Sequence, residues 1–162
     1  MIMEIREYDN NDRLAIVDAM EKFQIYLVGI DPLKRLRLMP GYAELYTEGF
    51  LKKIADQKGK IYVAIAEDKL VGFIAAVMDE WTEMDLLGHV PDVYARIIEL
   101  FVDEPYRGTG IGKELMETME KFLKEAGCGY VSLEVFGPNK AAHEFYGKLG
   151  YTDRDYDMLK EL

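Results

Sequence analysis

Polarity alternates from Met3 through Glu4, Ile5, Arg6 and Glu7 to Tyr8, and a period of two predicts a first strand with one buried face. The pattern then changes. Asp9-Asn10-Asn11-Asp12 is a polar turn and a helix start, after which apolar residues recur at Leu14, Ile16, Val17, Met20, Phe23 and Leu27 until Asp31-Pro32 interrupts them. Residues 33–40 are irregular and basic and end at Pro40-Gly41; a second helix is predicted from Tyr42 to Gln57. Two apolar runs, residues 61–66 and 70–77, joined by Glu67-Asp68-Lys69, predict a hairpin. Residues 79–94 are mixed and contain Trp81, Gly88 and Pro91, which reads as a loop with one short helical turn. The run Ile97-Ile98-Glu99-Leu100-Phe101-Val102 then leads into Arg107-Gly108-Thr109-Gly110-Ile111-Gly112. A long amphipathic pattern follows from Lys113 to Ala126, closed by Gly127-Cys128-Gly129. Tyr130 to Phe136 reads as a strand, Pro138-Asn139 opens a short helix running to Leu149, and Gly150-Tyr151 and Tyr156 to Lys160 read as terminal strands.

Strand, glycine-rich turn and helix in succession carry a chemical meaning. Small residues let the backbone bend tightly and bring its N–H groups close to a ligand. A helix start adds unpaired N–H groups and the positive end of the helix dipole. Together they suit a phosphate or pyrophosphate.

Composition narrows the setting. A chain of 162 residues with 49% apolar content can bury a sizeable core, and no repeat or linker divides it, so one domain over 1–162 is expected. No apolar run approaches the ~18 residues of a membrane span, and Met1 to Arg6 lacks the basic-then-apolar order of a secretory leader. Cys128 is the only cysteine, which excludes an internal disulfide and fits a reducing cytoplasm. With His89 and His143 it makes too poor a set for a structural zinc site. The net charge of −10 argues against nucleic acid and attracts a cationic substrate at long range.

The glycine turn fits none of the common phosphate motifs in full. Gly108, Gly110 and Gly112 give G-x-G-x-G, with Lys113 where the Rossmann fingerprint needs its third glycine. Gly112-Lys113 ends like a P-loop, but Arg107 and Glu114 occupy two required positions. His143-Glu144 begins like the zinc motif H-E-x-x-H, but Gly147 stands where the second His is required.

Residues 102–112, Val-Asp-Glu-Pro-Tyr-Arg-Gly-Thr-Gly-Ile-Gly, do closely resemble the acetyl-CoA signature of the GNAT superfamily of N-acetyltransferases, whose core [QR]-x-x-G-x-[GA] is met by Arg107, Gly110 and Gly112. Residues 133–151, with Leu133-Glu134-Val135, Asn139, Tyr146 and Leu149-Gly150-Tyr151, resemble that family's downstream strand and Asn-led helix. The resemblance implies an α/β fold: a central mixed, mostly antiparallel sheet with helices on both faces, splayed near Val102 to admit acetyl-CoA. It implies direct transfer of an acetyl group in a ternary complex, without a metal, to a primary amine: a small amine, a polyamine, a lysine side chain or a peptide N-terminus. Many members of the family dimerise, so a homodimer is expected on the same ground. The rival reading is a non-catalytic acyl-CoA sensor that keeps the glycine turn alone.

By resemblance, the backbone of Arg107, Gly108, Thr109, Gly110, Ile111, Gly112 and Lys113 holds the pyrophosphate. Leu100, Phe101 and Val102 pair with the pantetheine arm, and Val102 N–H faces the developing oxyanion. Asn139 hydrogen-bonds the arm and Tyr146 protonates the departing thiolate. These two lie seven residues apart, about 10 Å along one helix face. For the general base, two carboxylates interrupt apolar strands, and burial there would raise their pKa: Glu134, which also stands twelve residues before Tyr146 as in relatives that act on protein N-termini, and Glu99. A water or a loop acid such as Glu80 or Glu83 is the remaining alternative.

Overall fold

The computed structural model describes residues 3–161. Met1 and Ile2, where the leader-free N-terminus is read, lie outside the described residues, as does Leu162. The elements in chain order are β1 (Met3–Glu7), α1 (Arg13–Ile30), α2 (Tyr42–Asp56), β2 (Lys60–Ala66), β3 (Lys69–Asp79), α3 (Glu83–Gly88), β4 (Tyr94–Val102), α4 (Ile111–Glu125), β5 (Tyr130–Leu133) and α5 (Lys140–Lys148). The strands form one open sheet in sequence order. β1 to β4 are antiparallel neighbours, and β5 runs parallel to β4 because α4 carries the chain back across the sheet.

Each face of the sheet has its own core. On one, the apolar stripe of α4 buries Leu115, Met116 and Met119 against Ile74, Ala76 and Ile97. On the other, α1 and α2 bury Ile16, Met20 and Phe50 against Val63, Phe73 and Phe101. Each such buried side chain contributes about 2 kcal/mol. Among the described residues no helix is long and apolar enough to cross a membrane.

A bulge decides what β4 presents to each side. Ala75 of β3 pairs with Glu99 and Ala76 pairs with Ile97, so Ile98 is an extra residue on β4. Ala95 and Ile97 face α4, whereas Ile98 and Phe101 join the core under α1 and α2. Burial still alternates along β4, but the faces exchange at the bulge. Glu99 is thereby turned toward α2.

Three sequence expectations are corrected. β5 ends at Leu133 rather than Phe136, where its pairing with β4 ends. β4 begins at Tyr94, before the apolar run, and β3 runs on to Asp79, while the short helical turn expected between them is α3. Gly150-Tyr151 and Tyr156 to Lys160 are not strands. Tyr151 packs on the α4 side of the sheet and donates its hydroxyl to Glu120 at 2.9 Å, so the chain is anchored to a helix and not to the edge of β5. Beyond it, exposed charges are interspersed with the exposed Tyr156, Met158 and Leu159, and a segment with no ladder partner does not form a strand.

Candidate active site

After Val102 the chain makes a single 3₁₀ turn, Glu104–Tyr106, capped by the Asp103 carboxylate. Thr109 Oγ1 donates to the Tyr106 carbonyl at 2.6 Å and tightens the following bend. Gly108 and Gly110 then take φ of +75° and +100°, a region that side chains resist. A Cβ at either would meet nothing within 4 Å, so backbone conformation, not lack of room, demands glycine there. α4 starts from Gly110 without a side-chain cap, which leaves the N–H groups of its first turn, Ile111 to Lys113, without that partner. Gly112 differs from its neighbours: its nearest contact would be the Phe145 ring at 3.4 Å, so it faces α5. An open turn with donors facing out fits a diphosphate.

Beside this turn the sheet divides. β4 and β5 pair from Tyr94–Tyr130 to Ile97–Leu133 and no further, so residues 98–102 have β3 on one side and no strand on the other. Asp103 N–H donates to Val71 on β3, whereas the Val102 carbonyl accepts from Arg107 Nε on the opposite side at 3.0 Å. Backbone groups of successive strand residues point to opposite neighbours. The N–H groups of Leu100 and Val102 therefore face the opening, where an extended amide-bearing arm could pair with them, while Phe101 is tied to β3 with its ring in the core.

Asn139 caps α5 by accepting from Ala142 N–H, and its Oδ1 also accepts from the Tyr26 hydroxyl at 3.2 Å. The guanidinium of Arg107 lies 4.9 Å above the Tyr26 ring. One aromatic side chain of α1 thus joins the glycine turn to the start of α5. Only the four-residue spacing of apolar positions marks Tyr26 in the sequence, and that spacing describes core as well as site.

The chemistry concentrates at Glu99. Its side chain is 7% exposed, and burial pushes its carboxyl up to about 7 although the Tyr46 hydroxyl donates to it and opposes the shift. Tyr46 stacks on Tyr42, one helical turn earlier on α2, with ring centroids 5.6 Å apart. Burial, and then the Glu99 charge, hold the Tyr46 and Tyr42 hydroxyls protonated. The same two causes push Tyr146 up to about 12. Glu99 is thus bordered by tyrosines from α2 and α5. The pair Tyr42 and Tyr46 was missed in the sequence; an aromatic repeat at i and i+4 was its only signal.

The other candidate bases stand apart. Glu134 follows the end of β5, is exposed and lines a cleft of about 450 Å³ shared with Tyr46, Phe50, Lys53, Arg96 and Ile98. Glu80 and Glu83 are exposed on the segment around α3. Leu100, Val102, Asn139 and Tyr146 are half-buried around the opening, and Lys113 lies in the first turn of α4.

Comparisons with known proteins bear on this arrangement. An N-acetyltransferase of Methanocaldococcus jannaschii, itself uncharacterized, is 39% identical over 94 residues, covering 57% of this chain and 53% of that protein. The N-alpha-acetyltransferase MAK3 of Arabidopsis thaliana is 36% identical over 90 residues, covering 56% of this chain and 43% of that protein. The chain spans about half the length of these curated relatives. In fold, it superposes on a GCN5-related N-acetyltransferase from Ralstonia eutropha with a TM-score of 0.73 at 21% identity, covering 99% of both chains. The pattern of the Acetyltransferase (GNAT) family matches residues 30–151, which take in the split sheet, the glycine turn, Glu99 and the Asn139–Tyr146 helix. The chain belongs to the GNAT family of acetyltransferases.

Proposed function

We propose that this protein transfers an acetyl group from acetyl-CoA to a primary amine by direct attack, with Glu99 as the general base and Tyr146 as the general acid. The observation that carries the reading is the Glu99 carboxyl, buried with its pKa at about 7 beside the opening where β4 leaves β5. A base with that pKa is about half ionised at neutral pH, so it is available as the carboxylate and still holds a proton well. Glu134, exposed on the cleft rim, meets the incoming ammonium instead.

Family membership supports acetyl-CoA as the cosubstrate, and the uncapped start of α4 with the open turn at Gly108 and Gly110 fits its diphosphate. When bound, acetyl-CoA supplies the thioester carbon that the amine attacks. The residues of the chain do the rest. Arg107 to Lys113 offer backbone donors to the phosphates, Leu100 and Val102 offer N–H groups along the opening, and Asn139 offers its side-chain amide. Glu99 accepts a proton from the ammonium. Val102 N–H faces the carbonyl oxygen as charge develops there. Tyr146, held in its protonated form, donates to the departing sulfur. A C–N bond forms and a C–S bond breaks. The nitrogen gives up two protons overall, one through Glu99 to solvent and one that replaces the proton lent by Tyr146.

The test pairs calorimetric titration of coenzyme A with thiol release from acetyl-CoA across an amine panel. Binding and turnover together are expected. A saturating titration without uptake overturns the proposal. Binding without turnover on any amine removes the catalytic half of it and leaves an acyl-CoA-binding protein.

A further inference from the structure

The cleft between α2 and β4 carries more positive charge than an acidic chain predicts. Two elements line it side by side. On α2, Tyr46, Phe50 and Lys53 follow one another at four and three residues and share a helix face. On β4, Arg96 and Ile98 precede Glu99. The hydrogen bond from Tyr46 to Glu99 fixes one end of the pair of elements, and Lys53 and Arg96 stand at the other. Seven residues of helix span about 10 Å, whereas Arg96 and Glu99, with the bulge between them, lie opposite Val77 and Ala75, two residues or about 7 Å apart. The two elements therefore carry their cations away from the Tyr46–Glu99 bond in the same direction, Arg96 nearer along the backbone than Lys53.

These cations retain binding capacity. Arg96 uses Nη2 on Asp79 at 3.0 Å, and its Nε is buried with no hydrogen-bond acceptor. Lys53 is half-buried and has no carboxylate within salt-bridge distance among the described residues. The apolar surfaces of Phe50, Ile97 and Ile98 line the same cleft, which strengthens any charge pair formed in it.

We infer that the acceptor is an amine that also carries an anionic group, its nitrogen directed to the Glu99 end of this cleft and its carboxylate, phosphonate or sulfonate held by Lys53 and Arg96. This rests on the acyl-transfer reading above and names its substrate class. A planar guanidinium suits such an oxyanion, and a flexible lysine accommodates a range of spacers. Glu134 also lines the cleft, and its charge disfavours an acceptor with a second anion. The net charge of −10 acts at long range, whereas these two cations act in contact.

The experiment measures thiol release by the whole chain with an ω-amino acid series, the matching neutral amides and the matching diamines. It is repeated with Lys53→Ala and Lys53→Glu. The expected result is a kcat/KM at least about tenfold higher for the amino acid of best length than for its amide, the loss of one charge-assisted hydrogen bond. Lys53→Ala should raise KM for that amino acid by a similar factor while leaving kcat, and both constants for the neutral amide, within about twofold. Lys53→Glu should turn the preference toward the diamine. Equal kcat/KM for amino acid and amide, a diamine preference in the unaltered protein, or a KM insensitive to Lys53 overturns the inference while the acyl-transfer reading stands. Absence of turnover with every amine overturns both.

Discussion

The hydroxyl of Tyr46, on α2, donates to the carboxylate of Glu99, in the middle of β4. A bulge of one residue, Ile98, makes this bond possible by turning Glu99 away from the α4 side and under the α2 helix. The bond gives the most buried carboxyl of the site a donor, and burial nonetheless keeps its pKa near 7.

Catalysis should therefore follow the ionisation of Glu99. kcat/KM is expected to rise with pH through an acid limb near 7, and Glu99→Gln should lower it by about 10²- to 10⁴-fold and flatten that limb. A pH–rate profile of both proteins checks this. An unchanged limb in Glu99→Gln would assign the base elsewhere, with Glu134→Gln the next variant to measure.

Stability carries an independent signature of the same group. The Glu99 carboxyl binds its proton more tightly in the folded protein (about 7) than in the unfolded chain (4.5). Between those values the folded state holds more protons, so the contribution is present below the lower value and is lost as pH rises through the upper one. The loss is on the order of 3 kcal/mol, and Glu99→Gln, which cannot ionise, should escape it. Thermal melts at pH 5 and pH 8 should show the variant gaining on the unaltered protein at the higher pH. Parallel melting curves would contradict the burial of a charge at this position.

Tyr146→Phe removes the hydroxyl proposed as the proton donor and leaves the ring packed between Phe145 and Tyr151. Turnover should fall by about 10²-fold or more while the calorimetric affinity for coenzyme A stays within a few-fold. Full turnover with the preferred amine would exclude Tyr146 as the acid.

Gly110→Val places a branched side chain at a φ of +100°. No atom lies within 4 Å of its Cβ, so the effect is on backbone conformation: the turn shifts and its N–H groups lose their aim. Coenzyme A binding should vanish from calorimetry while circular dichroism stays folded. Retained affinity would place the diphosphate elsewhere.

Tyr26 offers a graded test of the link between the two motifs. Tyr26→Phe keeps the ring under Arg107 but drops the hydroxyl on Asn139, and should weaken coenzyme A binding a few-fold. Tyr26→Leu loses both contacts and should weaken it further. Equal affinity in all three proteins would show that neither contact positions the cofactor.

The amino-acid sequence by itself determined the local parts of this protein. Alternation marked β1, the hairpin marked β2 and β3, and the amphipathic pattern from Lys113 to Ala126 marked α4. Gly108 and Gly110 marked a turn that only glycine adopts with ease, and Asn139 marked the cap of α5, because turns and caps are set by residues within a few positions of one another. Tertiary structure alone decided what meets across the fold. Alternation counted along β4 cannot reveal an extra residue at Ile98, since a bulge is defined against the partner strand, and that residue chooses the face of Glu99. Tyr26, Tyr46 and Lys53 lie in helices whose spacing describes packing equally well, so their roles became visible only when α1 and α2 were laid against the sheet. The end of β5 was likewise decided by where its ladder with β4 stops, and the missing terminal strands by the lack of a ladder altogether, because a strand exists only through hydrogen bonds to a neighbour that its own residues do not specify.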